Sequence, residues 1–443
     1  MIEFENLIGV MIQVFCLLFI LRRKFIFSPF ALLNFFWLGN SIFLLLTPII
    51  KEEIEKSGWG IISYAGDESR TSAIDLIATQ CVICAIATML ANAIYMNMNK
   101  NEANSEKLGK SISRFASKII NANQISIIEF SVAVLCGMVL IFHMSSLNWD
   151  LAWLNNEYLL MNSGERIGFS SVGGQIIHKG LGFIAALSYV LTEILIRKKG
   201  GKLICLMPGA MYLYGVLFSL AQCSRWAPLL LCLPLYYFIE KRQYTVAISI
   251  LLGVLLSFCM VIEGRSSSKL GFARIPTNME AVIENPDVSL LSMGNNIFFG
   301  GQVVAEAMEI NEHQYPFTYK LLSFSPLASI IDGFDKYRGY EIRVSIYVPY
   351  NCIAEAWSMG VPWLILYFIS IFLWVLLSSL AWQLSNSKFT WAMIFSFILF
   401  LNSEYPIRNC FRFQLIMMAA TIYAIYYYHK PQEKPNNIPN NII

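Results

Sequence analysis

LICLMPGAMYLYGVLFSLAQ (203–222), CSR (223–225) and WAPLLLCLPLYYFI (226–239) are the stretch whose reading decides the fold of this chain. As one helix, rising 1.5 Å per residue, the run would extend about 55 Å, far beyond a hydrocarbon layer of about 30 Å. It therefore reads as two membrane spans broken at Cys223-Ser224-Arg225, with Pro228 and Pro234 also set against a continuous helix. Working outward with the same ruler, apolar segments fall near 4–21, 30–49, 74–95, 125–145, 180–196, 244–262, 353–382, 389–401 and 411–428. With the two halves of 203–239, that makes eleven expected spans. The fold class expected is an all-α polytopic membrane protein.

Composition agrees. Of 443 residues, 56% are hydrophobic and only 14% charged, with a mean hydropathy of +0.56. A soluble domain carries about 25% charged residues, so a water-soluble enzyme, a disordered chain and a disulfide-stapled secreted fold are all excluded. The net charge of +3 is too small to imply a nucleic-acid partner. Membrane lipid is the expected partner. The expected organisation is eight spans over 1–262, a large hydrophilic loop over 263–348, three spans over 349–428 and a tail over 429–443.

Positive charge sets the expected orientation. One set of loops holds Arg22, Arg23 and Lys24; Lys100, Lys107, Lys110, Arg114 and Lys118; Arg197, Lys198, Lys199 and Lys202; Lys241 and Arg242; Lys388; Lys430 and Lys434. Few acids accompany them. That side is read as cytoplasmic, with the C-terminus; the N-terminus and the large loop lie on the other side. Met1–Asn6 carries two acids and no base, unlike a secretory leader, so the first span reads as a retained helix. Most cysteines lie inside apolar runs, and Cys81-Val-Ile-Cys84, lacking a second pair, reads as packing rather than metal or redox chemistry.

The hydrophilic block 263–348 is too long for a plain connection and is rich in Phe and Tyr. Val288–Ile310 reads as one helical stretch, and 316–322 as a segment along the membrane surface. The aromatics suit either stacking on sugar rings or the interfacial belt. A second outer loop, 146–179, brings Trp149, Asp150, Trp153, Glu157, Tyr158, Glu165, Arg166, His178 and Lys179. His178 and His313 are candidates for a base, or are simply exposed.

Charges at membrane depth are the sharpest functional signal, because an arginine there costs about 2.5–3.5 kcal/mol on insertion scales and usually faces a cavity or a partner. Arg225 follows the span 203–222; Arg408 and Arg412 stand four apart, on one helical face. Each either snorkels to headgroup phosphates or helps form an anion site, and a planar guanidinium suits a diphosphate. Glu355 opens the span 353–382, where it either caps the helix or acts on a hydroxyl. Glu404 reads as an ion-pair partner for Arg408.

Three of these features resemble the O-antigen polymerases, the Wzy-type oligosaccharide repeat-unit polymerases of bacterial envelopes. They are Ser224-Arg225 after an apolar span, the phrase Ile353-Ala-Glu355-Ala-Trp-Ser-Met-Gly360-Val-Pro, and Arg408-Asn-Cys-Phe-Arg412. Together with the span pattern and the large loop, the resemblance covers most of the chain. The Arg-x10-Gly motif of some members is absent, since the eleventh residues after Arg166, Arg265 and Arg343 are Ile177, Pro276 and Ala354.

The resemblance implies a glycosyltransferase of the bacterial inner membrane in O-antigen and lipopolysaccharide biosynthesis. It would move a growing glycan from undecaprenyl diphosphate to the terminal hydroxyl of one lipid-linked repeat unit at the periplasmic face. Arg225, Arg408 and Arg412 are expected to converge on the diphosphate, Arg265 to assist from the loop, and Glu355 to orient or activate the acceptor hydroxyl. No metal or cofactor is expected. Undecaprenyl-diphosphate-linked glycans are the expected substrates, with a chain-length regulator and a flippase as partners. An O-antigen ligase, or a flippase or transporter for lipid-linked oligosaccharide, are the alternatives.

Overall fold

The computed structural model describes residues 4–21, 28–56, 65–99, 125–155, 160, 167, 172–196, 198, 201–240, 242–266, 268–310, 315–327, 332–345, 348–384 and 388–429. His313, Glu157, Tyr158, Glu165, Arg166, the tail and most of the cations used for orientation lie outside these residues. Among those described the chain is helical, with one two-stranded antiparallel ribbon pairing Arg343–Ser345 with Val348–Pro349. Among the described residues six helices are long and apolar enough to cross a membrane: Pro29–Ile50, Asp67–Asn97, Ile127–Ser146, Gly201–Ala221, Tyr244–Arg265 and Val361–Gln383. Leu7–Phe19, Leu181–Ile196 and Trp226–Ile239 are shorter apolar helices. The protein is an all-α, multi-pass membrane protein.

The break in 203–239 falls where the sequence places it. Helix Leu206–Ala221 ends, Cys223 turns the backbone at φ +47°, and Trp226–Glu240 begins. Pro234 sits inside the second helix all the same. Two expected elements are corrected. The span 353–382 is two helices, Cys352–Ser358 and Val361–Leu384, separated at Gly360. Gly360 takes φ +98°, a left-handed geometry in which a side chain is strained. The stretch Val288–Ile310 is likewise two helices, Pro286–Phe298 and Gly300–Glu309.

The chain divides into two compact units. The first comprises Met1–Leu45, Ser63–Phe115 and Phe298–Ile443. Its core lies between Asp67–Asn99 and Val361–Leu384, and buried Trp374 of the latter stacks on Phe395 of helix Lys388–Glu404 at 4.3 Å. Apolar side chains gain nothing from leaving lipid, so helices in a membrane associate through close packing and polar contacts. Here Tyr367 donates to Gln80 Oε1 at 2.8 Å, Gln13 to Ser41 at 2.8 Å, and Asn34 to the Gln13 carbonyl at 2.9 Å. The Gly301 N–H donates to Asn40 Oδ1 at 2.9 Å, an approach a Cβ on Gly301 would obstruct.

The second unit comprises Leu46–Ile62 and Ala116–Ile297. Small residues again let helices approach: a Cβ on Gly215 would lie 2.3 Å from that of Ala185, and one on Gly182 2.5 Å from the Trp226 ring. Ser126 and Glu129 cap Ile127–Ser146 reciprocally, and Glu129 also takes Lys198 Nζ at 2.5 Å.

Candidate functional site

The short helix Cys352–Ser358 is built by its first residue's neighbour. Asn351 caps it by accepting from the Ala354 N–H at 3.0 Å, and donates to the Gly300 carbonyl at 2.9 Å. One turn on, Glu355 is 2% exposed, and both its oxygens are engaged. Oε1 accepts from the Tyr319 hydroxyl at 2.5 Å, and Oε2 from the Ile407 N–H at 2.6 Å. Ile407 opens helix Ile407–His429, so this N–H has no partner within its own helix, and the carboxylate lies at the helix's positive end. Glu355 therefore caps a helix, though a later one than its own. Burial pushes its carboxyl up to about 7, the Tyr319 and Ile407 donors offsetting only part of that cost.

Tyr319 lies on helix Phe317–Ser323 and is fully buried, stacked on Tyr315 at 5.0 Å. The Tyr315 hydroxyl shares a hydrogen bond with Ser358 at 3.2 Å, and Lys320 donates to the Met359 carbonyl at 2.8 Å. The segment expected along the membrane surface is thus fastened to the Glu355 helix.

Arg408 follows Ile407 and is 2% exposed. Its guanidinium forks onto both Asp332 oxygens at 2.7 Å, reaches the Leu322 and Leu327 carbonyls, and lies 4.1 Å over the Phe334 ring. Burial raises the Asp332 carboxyl, but Arg408, the Ser325 hydroxyl and the Phe334 N–H outweigh it and hold it below the usual aspartate range. Asp332, which the sequence does not point to, thus supplies a carboxylate for Arg408, and the arginine's charge is met inside the protein. Arg412 stands half-buried one turn further along, and Glu404 is buried at the end of helix Lys388–Glu404.

Arg225 and Arg265 belong to the second unit, where they meet one turn. Arg265 Nε, near the end of Tyr244–Ser266, donates at 2.8 Å to the Cys223 carbonyl, two residues before Arg225. Burial pushes the Cys223 thiol up to about 12 despite the Arg265 charge, so it is a packing group rather than a nucleophile. His178 is buried against His143 in the same unit. The site residues from the sequence are therefore two sets, Glu355, Arg408 and Arg412 in one unit and Arg225 and Arg265 in the other. Tyr319, Asp332, His143 and Tyr214 were not legible as site residues.

Among the described residues, no group of three or more His, Cys, Asp and Glu side chains gathers to hold a metal ion. No family model, curated protein or solved structure matches the chain.

Proposed function

We propose that the protein is a glycosyltransferase that polymerises undecaprenyl-diphosphate-linked oligosaccharide repeat units at the periplasmic face of the bacterial inner membrane. The observation that carries this reading is the Glu355–Ile407 hydrogen bond. It joins two of the three sequence features of the resemblance, the Ile353–Gly360 phrase and the Arg408–Arg412 segment, in one buried junction. Tyr319 ties a helix of the hydrophilic block to the same carboxylate.

The chemistry fits amphiphilic substrates held at a membrane boundary. A lipid diphosphate leaves as an anion and needs cations rather than a proton near neutral pH, a task arginines perform without a metal. Arg225 and Arg265, which meet one turn of the second unit, are the assigned diphosphate contacts. Arg408, paired with Asp332, acts by holding the start of its helix. Glu355 is a positioning residue that fixes that helix start, rather than the group that takes the acceptor proton.

Purified protein in liposomes, given lipid-linked repeat units extracted from its host, tests the reading. A ladder of lengthened glycans that persists in EDTA is expected. Transfer of glycan only to lipid A core would make it a ligase, and translocation without lengthening a transporter; either result overturns polymerisation.

A further inference from the structure

The second unit contains a buried row of ionisable side chains that the reading above does not use. His143, in the last turn of Ile127–Ser146, is fully buried. Its Nδ1 lies 2.7 Å from the Tyr214 hydroxyl, and its Nε2 lies 2.9 Å from His178 Nδ1. The imidazoles lie nearly parallel, 9° apart. His178, on Val172–Lys179, is the more accessible of the two at 9% exposed. Ionisable groups buried at membrane level are costly and usually mark function.

Each link has one donor and one acceptor, assigned by the tautomers of the two histidines. With the Tyr214 oxygen accepting from His143 Nδ1–H and His143 Nε2 accepting from His178 Nδ1–H, His178 Nε2 keeps the lone pair that an imidazole needs to act as a base. Among the charged groups on the elements packed around the row, Asp150 is in the first turn of Trp149–Leu154 and Arg274 closes Phe272–Arg274. The Glu129–Lys198 pair begins fourteen residues before His143, about 21 Å along the helix, and Glu193 is in the last turn of Leu181–Ile196. Beside the row, Trp149 and Trp153 are 38% and 54% exposed. Both rings pack on Phe272, which meets Phe218, the ring against both histidines. An exposed indole pair on an aromatic wall is a surface on which sugar rings stack.

We propose that His178 is the general base for the acceptor hydroxyl, with His143 and Tyr214 as positioning residues behind it and the Trp149–Trp153 pair as the acceptor-glycan platform. The proposal rests on the glycosyl-transfer reading. The acceptor oxygen forms the new bond to the anomeric carbon as the bond from that carbon to the diphosphate oxygen breaks. The hydroxyl proton passes to the His178 imidazole and later to water, and the lipid diphosphate departs with the electron pair.

The test follows lengthening of host-derived lipid-linked repeat units in liposomes across pH. If the wild type lengthens nothing, glycosyl transfer itself fails, whatever His178 does. If it does lengthen them, His178→Gln is expected to lower kcat by about 100-fold with KM within about twofold, to lose the acid limb of the profile, and to recover in part with added imidazole. Wild-type rates and profile in His178→Gln overturn the proposal. Should His178→Gln not fold, Tyr214→Phe decides: a displaced acid limb supports the relay, and an unmoved one overturns it.

Discussion

Both units bury polar clusters, and two of these are compensated differently. In the first, formal charges meet: Arg408 forks onto Asp332, with side chains 3% and 6% exposed, and Glu355 is held by a phenol and a helix N–H. In the second, apart from the Glu129–Lys198 pair, His143, His178 and Tyr214 form a row whose links are hydrogen bonds between groups able to be neutral. A buried ion pair is expensive to break because the remaining charge has no water. A neutral row loses one ordinary hydrogen bond at a time. The first arrangement fixes structure; the second is held by hydrogen bonds alone.

The largest expected difference is in stability. Arg408→Ala leaves Asp332 without its counter-charge, held only by the Ser325 hydroxyl and the Phe334 N–H, and should cost about 3 kcal/mol, read as a lowered melting temperature in detergent. Arg408→Lys should recover only part, since an ammonium does not fork onto a carboxylate. A loss below about 1 kcal/mol would show that water reaches Asp332.

The pH dependence is next. Glu355 ionises near 7 in the folded protein against 4.5 in its ordinary state, so the folded form binds the proton more tightly. Stability should therefore fall as pH rises through about 4.5 to 7, by up to about 3 kcal/mol, and Glu355→Gln should flatten that slope. Asp332 has the opposite sign. Its lowered value makes its contribution present above the ordinary aspartate range and lost as pH falls below it. Melting curves in the two pH windows, on wild type and Glu355→Gln, separate the two groups.

Smaller effects sharpen the contrast. Tyr319→Phe strips a donor from a buried carboxylate and should cost about 1–3 kcal/mol. Tyr214→Phe should cost only about 0.5–1.5 kcal/mol. Equal costs in matched melts would erase the distinction between the two regions.

Much of the scaffold was legible because it follows from length and solvent. The break at Cys223-Ser224-Arg225 is forced by a run too long for a bilayer, and each expected apolar segment falls on helix. Local backbone chemistry was less visible. Gly360 looks like one residue of an apolar run, yet it divides Cys352–Ser358 from Val361–Leu384. The site was least legible, because its partners are distant in sequence. Tyr319 and Glu355 are 36 residues apart and Asp332 and Arg408 76, separations that no periodicity or motif reports. Glu355 and Arg408 stand out as charges among apolar residues, but their partners in 263–348 look like ordinary loop residues.

The most direct measurement is the glycan ladder made by cells carrying Arg225→Ala at wild-type protein level, beside the unaltered protein. The account predicts single repeat units on core lipid in place of the ladder. A ladder unchanged in length and intensity would contradict it.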